Sequence, residues 1–380
     1  FTAQHMTDPE PGFARKRVEE MFANAGVMID GSRPWDIRVR NESFFKRILV
    51  NGSLGLGESY MDDWWECDQV DELVNRILRS DLAHHHHVVS HFLSWIQAIL
   101  FNLQKKSRAF QVGEEHYDTG NDLYLAMLDK RMAYTCGYWH HADNLEDAQR
   151  DKLDLVCRKL ALEPGMRILD IGCGWGSFAR YAAENYGVEV VGITVSREQV
   201  ELGKENCKGL PVEIRLQDYR DVTEQFDGIV SLGMFEHVGH KNYRTYMEVV
   251  KNQLRDGSRF LLHTIGKNDT RVGLDPWMAK YIFPNGEIPS LKQITDSLES
   301  LMIVEDVHNF GPDYDRTLMA WCDNFNQAWP SLKNNYSDRF FRMWNYYLQS
   351  CAGAFRAREL QVWQLVLSNG APAAVYRRPE

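Results

Sequence analysis

The sequence predicts an α/β protein: a seven-stranded, mostly parallel sheet with helices on both faces, preceded by a small, mainly helical N-terminal domain. Three observations carry this. From Arg167 onward, apolar runs of strand length alternate with helical stretches; the first run ends in a glycine turn that opens a helix; and the residues ahead carry apolar positions at helical spacing. A chain of 380 residues exceeds one average domain, and its 44% hydrophobic content is ample for a core.

Residues 1–6, FTAQHM, are set aside from the fold. A helix is expected over 12–27, GFARKRVEEMFANAGV, and a second through FFKRILV; the following NGSLGLGESYMDDWWECD reads as turns, with its glycines supplying turn chemistry. The four histidines at 84–87 read as a solvated loop, because adjacent residues cannot all face one point on regular backbone. The apolar SHFLSWIQAILFNLQ, followed by Lys105, Lys106 and Arg108, suits a linker that touches a membrane and equally an ordinary core helix with a basic cap. The expected division is a small, lipid-associated N-terminal domain at 7–100, a linker at 101–115 and a catalytic domain at 116–380.

Expected strands are RILDIG, VEVVGIT, VEIRL, FDGIVSL, SRFLLHT, MIVEDV and VWQLVLS, a succession that puts ligands at the carboxyl ends of a parallel sheet. Long insertions at 267–295 and 313–358 are expected to cover the substrate.

A formal charge of −10 argues against a surface that grips nucleic acid, so membrane contact would rest on basic segments at 15–17 or 105–108. The seven cysteines (67, 136, 157, 173, 207, 322, 351) lie apart and form no CxxC, which indicates reduced cytosolic thiols and no zinc site. No secretory signal and no run of 18 apolar residues is evident, so a soluble or peripheral protein is expected.

In ILDIGCGWGSFARYAAE, Asp170, Gly172, Gly174 and Gly176 form DxGxGxG, where absent side chains let backbone amides approach a ligand near a helix N-terminus. A dinucleotide loop wants glycine where Ser177 stands, and an acid at the tip of the second strand, where GITVSREQ has none before Glu198. Nicotinamide binding is therefore disfavoured. The loop resembles that of class I methyltransferases, which bind S-adenosylmethionine; Thr194 and Gln199 stand in for the usual acid and can hydrogen-bond the ribose or the methionine end. Gln217, Asp218 and Tyr219 could border an adenine by hydrogen bonding and stacking. After the fourth strand, Glu236 is the favoured functional carboxylate, while His237 suits a cap or core equally well.

Together EHYDTGNDLY, YTCGYW, ILDIGCGWG, GITVSREQ, GMFEHVG, LLHTIG, DPWMAKYIFPNG, NFGPDYDRTLMAW and CAGAFRAR closely resemble the cyclopropane-fatty-acyl-phospholipid synthase family, from about residue 12 to 370. The resemblance implies a methyltransferase-fold enzyme that moves a methylene group from S-adenosylmethionine onto the cis double bond of an unsaturated phospholipid, with bicarbonate as base. It also implies a homodimer, cytoplasmic and peripherally associated with the inner face of the plasma membrane. Cys136, Glu236, His263, Ile265 and Tyr314 fall on positions that hold the ion. Tyr134, Thr135, the glycine loop, Thr194 and Gln199 fall on cofactor positions.

The chemistry fits. An alkene attacking a sulfonium methyl leaves a carbocation that must be shielded from water, a task suited to Tyr134, Tyr138, Trp139, Phe235 and Tyr314. Ring closure removes a proton, for which Glu236, His263 and Tyr314 could orient bicarbonate. Cys136 reads as a pocket wall that borders the anion. Cys351, in the family motif CAGAFRAR, shares a helical face with Phe340, Trp344, Tyr347, Leu348 and Phe355 and reads as channel lining, with no activating base nearby in sequence. Competing readings are another S-adenosylmethionine-dependent lipid methyltransferase, acting on an acyl carbon or a headgroup, and a membrane-binding cofactor sensor.

Overall fold

A computed structural model of the chain describes residues 12–80 and 120–380; the histidine run at 84–87, Lys105, Lys106, Arg108 and the expected linker at 101–115 lie outside the described residues. The N-terminal part is α1 (Phe13–Asn24), β1 (Arg38–Val39), α2 (Ser43–Met61), β2 (Trp65–Glu66) and α3 (Val70–Arg79). Next come α4 (Asn121–Met127), α5 (Leu145–Lys159), β3 (Arg167–Ile171), α6 (Ser177–Tyr186), β4 (Glu189–Thr194), α7 (Arg197–Asn206), β5 (Val212–Leu216) and β6 (Phe226–Leu232). The chain continues through α8 (Tyr243–Gln253), β7 (Leu254–Lys267), α9 (Pro276–Tyr281), α10 (Leu291–Leu298), β8 (Ile303–Asn309), α11 (Pro312–Leu332), α12 (Asp338–Arg356) and β9 (Leu360–Ser368).

All seven expected strands join one sheet in the order β5-β4-β3-β6-β7-β9-β8. The pairs among β5, β4, β3, β6 and β7 are parallel, and β9 runs antiparallel to both β7 and β8. That reversal follows from α11 and α12. Their 21 and 19 residues run out and back over about 30 Å, so β9 restarts where β8 ended, with Asn309 paired to Trp363. Strands covered on both faces read as near-continuous apolar runs, and β9 is buried at every position after Leu360.

One expectation in the N-terminal part needs correction. NGSLGLGESYM is not a set of turns: α2 continues through it, broken only at Gly52 (φ 54, ψ −130). Gly55 and Gly57 serve close approach, since a Cβ on Gly57 would lie 2.4 Å from the Trp277 ring and one on Gly55 2.5 Å from the Arg47 carbonyl oxygen. Packing thus offsets the poor helix propensity of glycine. Of the basic residues at 15–17, Arg15 reaches Glu19, Asp30 and Glu42 at 2.8, 2.7 and 2.7 Å and Arg17 sits by Glu20.

Residues 12–80 share one buried cluster with α4, α9, α11 and α12, where Phe44, Trp65 and Leu73 meet Trp277, Trp321 and Leu348. Two further clusters fill the faces of the sheet. Overpacking at the α2–α9 contact should cost about 1–3 kcal/mol, so Gly57→Ala is expected to lower the urea midpoint with no change in slope.

Candidate active site

A cavity opens at the carboxyl ends of β3, β4 and β6, and ten of the eleven proposed cofactor residues line it: Tyr134, Thr135, Asp170, Gly172, Gly174, Thr194, Gln199, Gln217, Asp218 and Tyr219. Gly176 does not. It turns the chain into α6 at φ 85, and a Cβ there would sit 2.7 Å from the Cys207 sulfur.

Asp170, next to last in β3, is buried, and its Oδ2 has no hydrogen-bond partner among the described residues. Burial pushes its carboxyl up to about 7, against the pull of Lys152. An orphaned acceptor in a cavity wall suits a ligand that brings donors, such as the ammonium end of S-adenosylmethionine. The Thr194 hydroxyl donates to Gln199 Oε1 at 2.6 Å, which orients the Gln199 amide nitrogen as a donor. Asp218 is held rigid by its neighbour: Oδ1 accepts from the Arg220 amide and Nε at 3.0 and 2.8 Å, and Oδ2 from Nη2 at 2.6 Å.

Two residues that hold this wall in place were missed in the sequence. Lys152 Nζ donates to Thr135 Oγ1 at 2.7 Å, and Gln149 Nε2 donates to the Thr135 carbonyl at 2.8 Å. Burial pushes Lys152 down to about 8, while Asp129, Cys136 and Asp170 support its charge. Their signal was positional: both stand among Leu145, Ala148, Leu153 and Val156 on the buried side of α5.

Behind the cavity lies a second group. Gly233 leaves β6 at φ 70 with its amide on the His263 carbonyl at 2.9 Å, and a 3-10 turn over Phe235–His237 then presents Glu236. Glu236 Oε1 accepts from the Ile265 amide at 2.6 Å; Oε2 is buried and has no partner among the described residues. Burial pushes this carboxyl up to about 7. His263 stands two residues before Ile265 on β7, on the same face, with Nδ1 3.3 Å from Gln364 Nε2 and its basicity pushed well down by burial, Lys152 and Lys159. Tyr314, in the first turn of α11, has its hydroxyl pushed up by burial, with Cys136, Tyr134, Glu236 and Cys351 near enough to add to the shift. The carbonyl of Glu236 accepts from the Glu287 amide at 2.8 Å, which latches the 267–295 insertion to this turn.

Neither cysteine is built as a nucleophile. The Cys136 thiol donates to the Gly137 carbonyl at 3.2 Å and burial pushes its pKa well up, while burial pushes Cys351 up to about 12. Among the described residues no group of three or more His, Cys, Asp or Glu could hold a metal.

The five aromatics expected to shield a cation stand in different surroundings. Tyr134 packs on Tyr124 and Trp321, with its hydroxyl 2.9 Å from that of Tyr347, and Tyr314 packs on Trp321 and Phe355. Phe235 instead stacks on Tyr243 in the sheet core, 4.3 Å between centroids. Tyr138 packs on His140, His308 and Phe310, and the Trp139 indole donates to Thr317 Oγ1 at 2.9 Å. The stretch 134–139 is neither helix nor strand, so closeness in sequence does not bring its rings to one face.

The Mycolic acid cyclopropane synthetase family profile matches residues 104–365. The Escherichia coli K12 protein named cyclopropane-fatty-acyl-phospholipid synthase is 57% identical over 356 residues, 93% of this chain and 93% of that one. The chain belongs to the cyclopropane-fatty-acyl-phospholipid synthase family. Among solved structures, the cyclopropane synthase MmaA2 of Mycobacterium tuberculosis superposes with a TM-score of 0.65 at 31% identity, covering 68% of this chain and 98% of its own. Mycolic acid cyclopropane synthase CmaA1, complexed with SAH and CTAB, gives 0.64 at 29% identity, with 68% and 98% covered. The strand order and the glycine turn of this family member are therefore those of a class I methyltransferase-like fold.

The buried Glu236 carboxyl gives a signed pH effect. Its pKa is raised from 4.5 to about 7, so the fold keeps its full stability below 4.5 and loses on the order of 3 kcal/mol as pH rises through 7. Glu236→Gln is expected to unfold at higher urea than the parent at pH 8 and at equal urea at pH 4.

Proposed function

We propose that this chain transfers a methylene group from S-adenosylmethionine to the cis double bond of unsaturated phospholipid acyl chains, with bicarbonate as base. The observation that carries this reading is the half-satisfied Glu236: one oxygen fixed by Ile265, the other buried and unpartnered, behind a cavity lined by a DxGxGxG turn. Bicarbonate has both a hydroxyl and acceptor oxygens. Glu236 Oε2 can accept from the first, and the Tyr314 hydroxyl and the His263 ring can donate to the second.

When bound, S-adenosylmethionine supplies an electrophilic methyl and bicarbonate a small base that fits where a side chain would not reach. Asp170, Thr194 and Gln199, which line the cavity, would hold the cofactor, with Gly172 and Gly174 admitting it to the backbone. Thr135, gripped by Lys152 and Gln149, fixes the wall between cofactor and anion. Tyr134, Tyr314 and Trp321 exclude water and set aromatic faces against a cation, worth about 0.5–2 kcal/mol per contact. Cys136 closes the wall, and Cys351 lines the approach on α12.

No helix among the described residues is long and apolar enough to cross a membrane. We place the phospholipid in a bilayer met peripherally at the inner face of the plasma membrane, with the domain at 7–100 making contact, 116–380 doing the chemistry and a homodimer as the working unit. Family resemblance supports each of these.

The reading is tested by incubating the protein with vesicles of cis-unsaturated phospholipid and labelled S-adenosylmethionine. A gain of one CH₂ in the acyl chain, with high-field ring-proton signals in NMR, is expected; gain confined to the headgroup would replace this reading with headgroup methylation. Glu236→Gln should lower turnover about 10²- to 10³-fold, with the KM for S-adenosylmethionine little changed. Cys136→Ser, which removes no acid, base or nucleophile, should stay within about tenfold of the parent.

A further inference from the structure

Behind His263 runs a polar chain that crosses to the far side of β9. The buried Lys159 on α5 donates from Nζ to Gln364 Oε1 at 2.8 Å and lies 2.9 Å from His308 Nδ1; Gln364 Nε2 lies 3.3 Å from His263 Nδ1. Lys159, Gln364 and His263 are 0, 0 and 2% exposed. Burial pushes Lys159 down to about 7, yet ammonium and amine alike carry at least two N–H bonds, enough for both Gln364 Oε1 and His308 Nδ1, so Lys159 takes the oxygen end of the Gln364 amide in either form. The amide NH₂ is then left to point at His263. A hydrogen on His263 Nδ1 would set donor against donor, so Nδ1 must accept, and the one ring hydrogen resides on Nε2, on the side away from Gln364.

We propose that Lys159 and Gln364 are positioning residues that lock His263 as a neutral imidazole donating from Nε2, which makes His263 a hydrogen-bond donor to the anion and never its proton acceptor. This rests on the anion reading of the site. The groups around His263 agree with it. Lys152 and Lys159 from α5 disfavour an imidazolium, and Phe310 packs on the ring in an edge-type contact with 5.7 Å between centroids. His308, held through Nδ1 by the same lysine, completes the lock on the far side. Proton acceptance is thereby left to Glu236 Oε2, the unpartnered oxygen of the group.

The test is the nitrogen spectrum of the full chain labelled with ¹⁵N-histidine, with the His263 pattern identified by its loss in His263→Gln. The expected pattern is the Nε2–H tautomer, unchanged between about pH 6 and pH 8. In Gln364→Glu the carboxylate can only accept, so the hydrogen should move to Nδ1 or both nitrogens should carry one. Lys159→Met should lower turnover about tenfold or more with the KM for S-adenosylmethionine within twofold. The proposal is overturned by a parent His263 that carries hydrogen on Nδ1 at pH 7, by a tautomer unmoved in Gln364→Glu, or by undiminished turnover in Lys159→Met. The tautomer readout needs no substrate, so its outcome is independent of whether the lipid reading stands.

Discussion

The Glu236 carboxylate and the Ile265 amide meet at 2.6 Å, a bond that ties the turn leaving β6 to strand β7 where water is nearly excluded. Most of the site depends on it. The bond occupies one carboxylate oxygen and so defines the other as the one free to accept; it sets the 3-10 turn against the strand that carries His263; and the same residue's carbonyl anchors the insertion through Glu287. The setting that makes Glu236 useful also makes it costly, because a buried carboxylate with one oxygen unsatisfied opposes folding whenever it is ionised. Site and stability therefore pull in opposite directions at this one residue.

What the sequence made legible divides along physical lines. The central strands, buried on both faces, have no polar side to show and announced themselves as apolar runs, while the edge strands VEIRL and MIVEDV showed through their place in the strand–helix alternation; the DxGxGxG turn was visible because its backbone needs glycine for both conformation and approach. The α2 glycines were misread because composition does not distinguish a glycine that bends a chain from one that lets a Trp277 ring lie on a helix. The neighbours of Tyr138, Trp139 and Phe235 could not be read from the sequence, because counting aromatics says nothing of the direction each ring faces. Lys152 and Lys159 were passed over because lysine defaults to surface, and only their place in an apolar stripe signalled otherwise. The proposed anion group of Cys136, Glu236, His263, Ile265 and Tyr314 draws on four separate stretches of chain, and resemblance rather than spacing brought it together.

The N-terminal part is fastened by charge as well as by its apolar core. Arg356, at the end of α12, forks to Asp71, Glu72 and Asp315, joining α3, α12 and α11 in one knot, while Glu58 on α2 takes Arg47 and Lys280. Partly buried networks of this kind contribute more through geometry than through net energy. Their effect here is to seat α2, α3 and α9 at fixed positions against the helices that carry Tyr314 and Cys351.

Helix α5 brings one more property to the molecule. Lys152 grips Thr135 in the cofactor wall, and Lys159 grips Gln364 behind His263. Seven residues of α-helix separate the two lysines by about 10.5 Å along one face, so α5 works as a ruler that sets the span between two walls of the site. Inserting or deleting one residue between them would rotate the second lysine by about 100° and swing it out of its slot, whereas the exposed side, with Arg150 and Arg158, is free to change in composition but never in length.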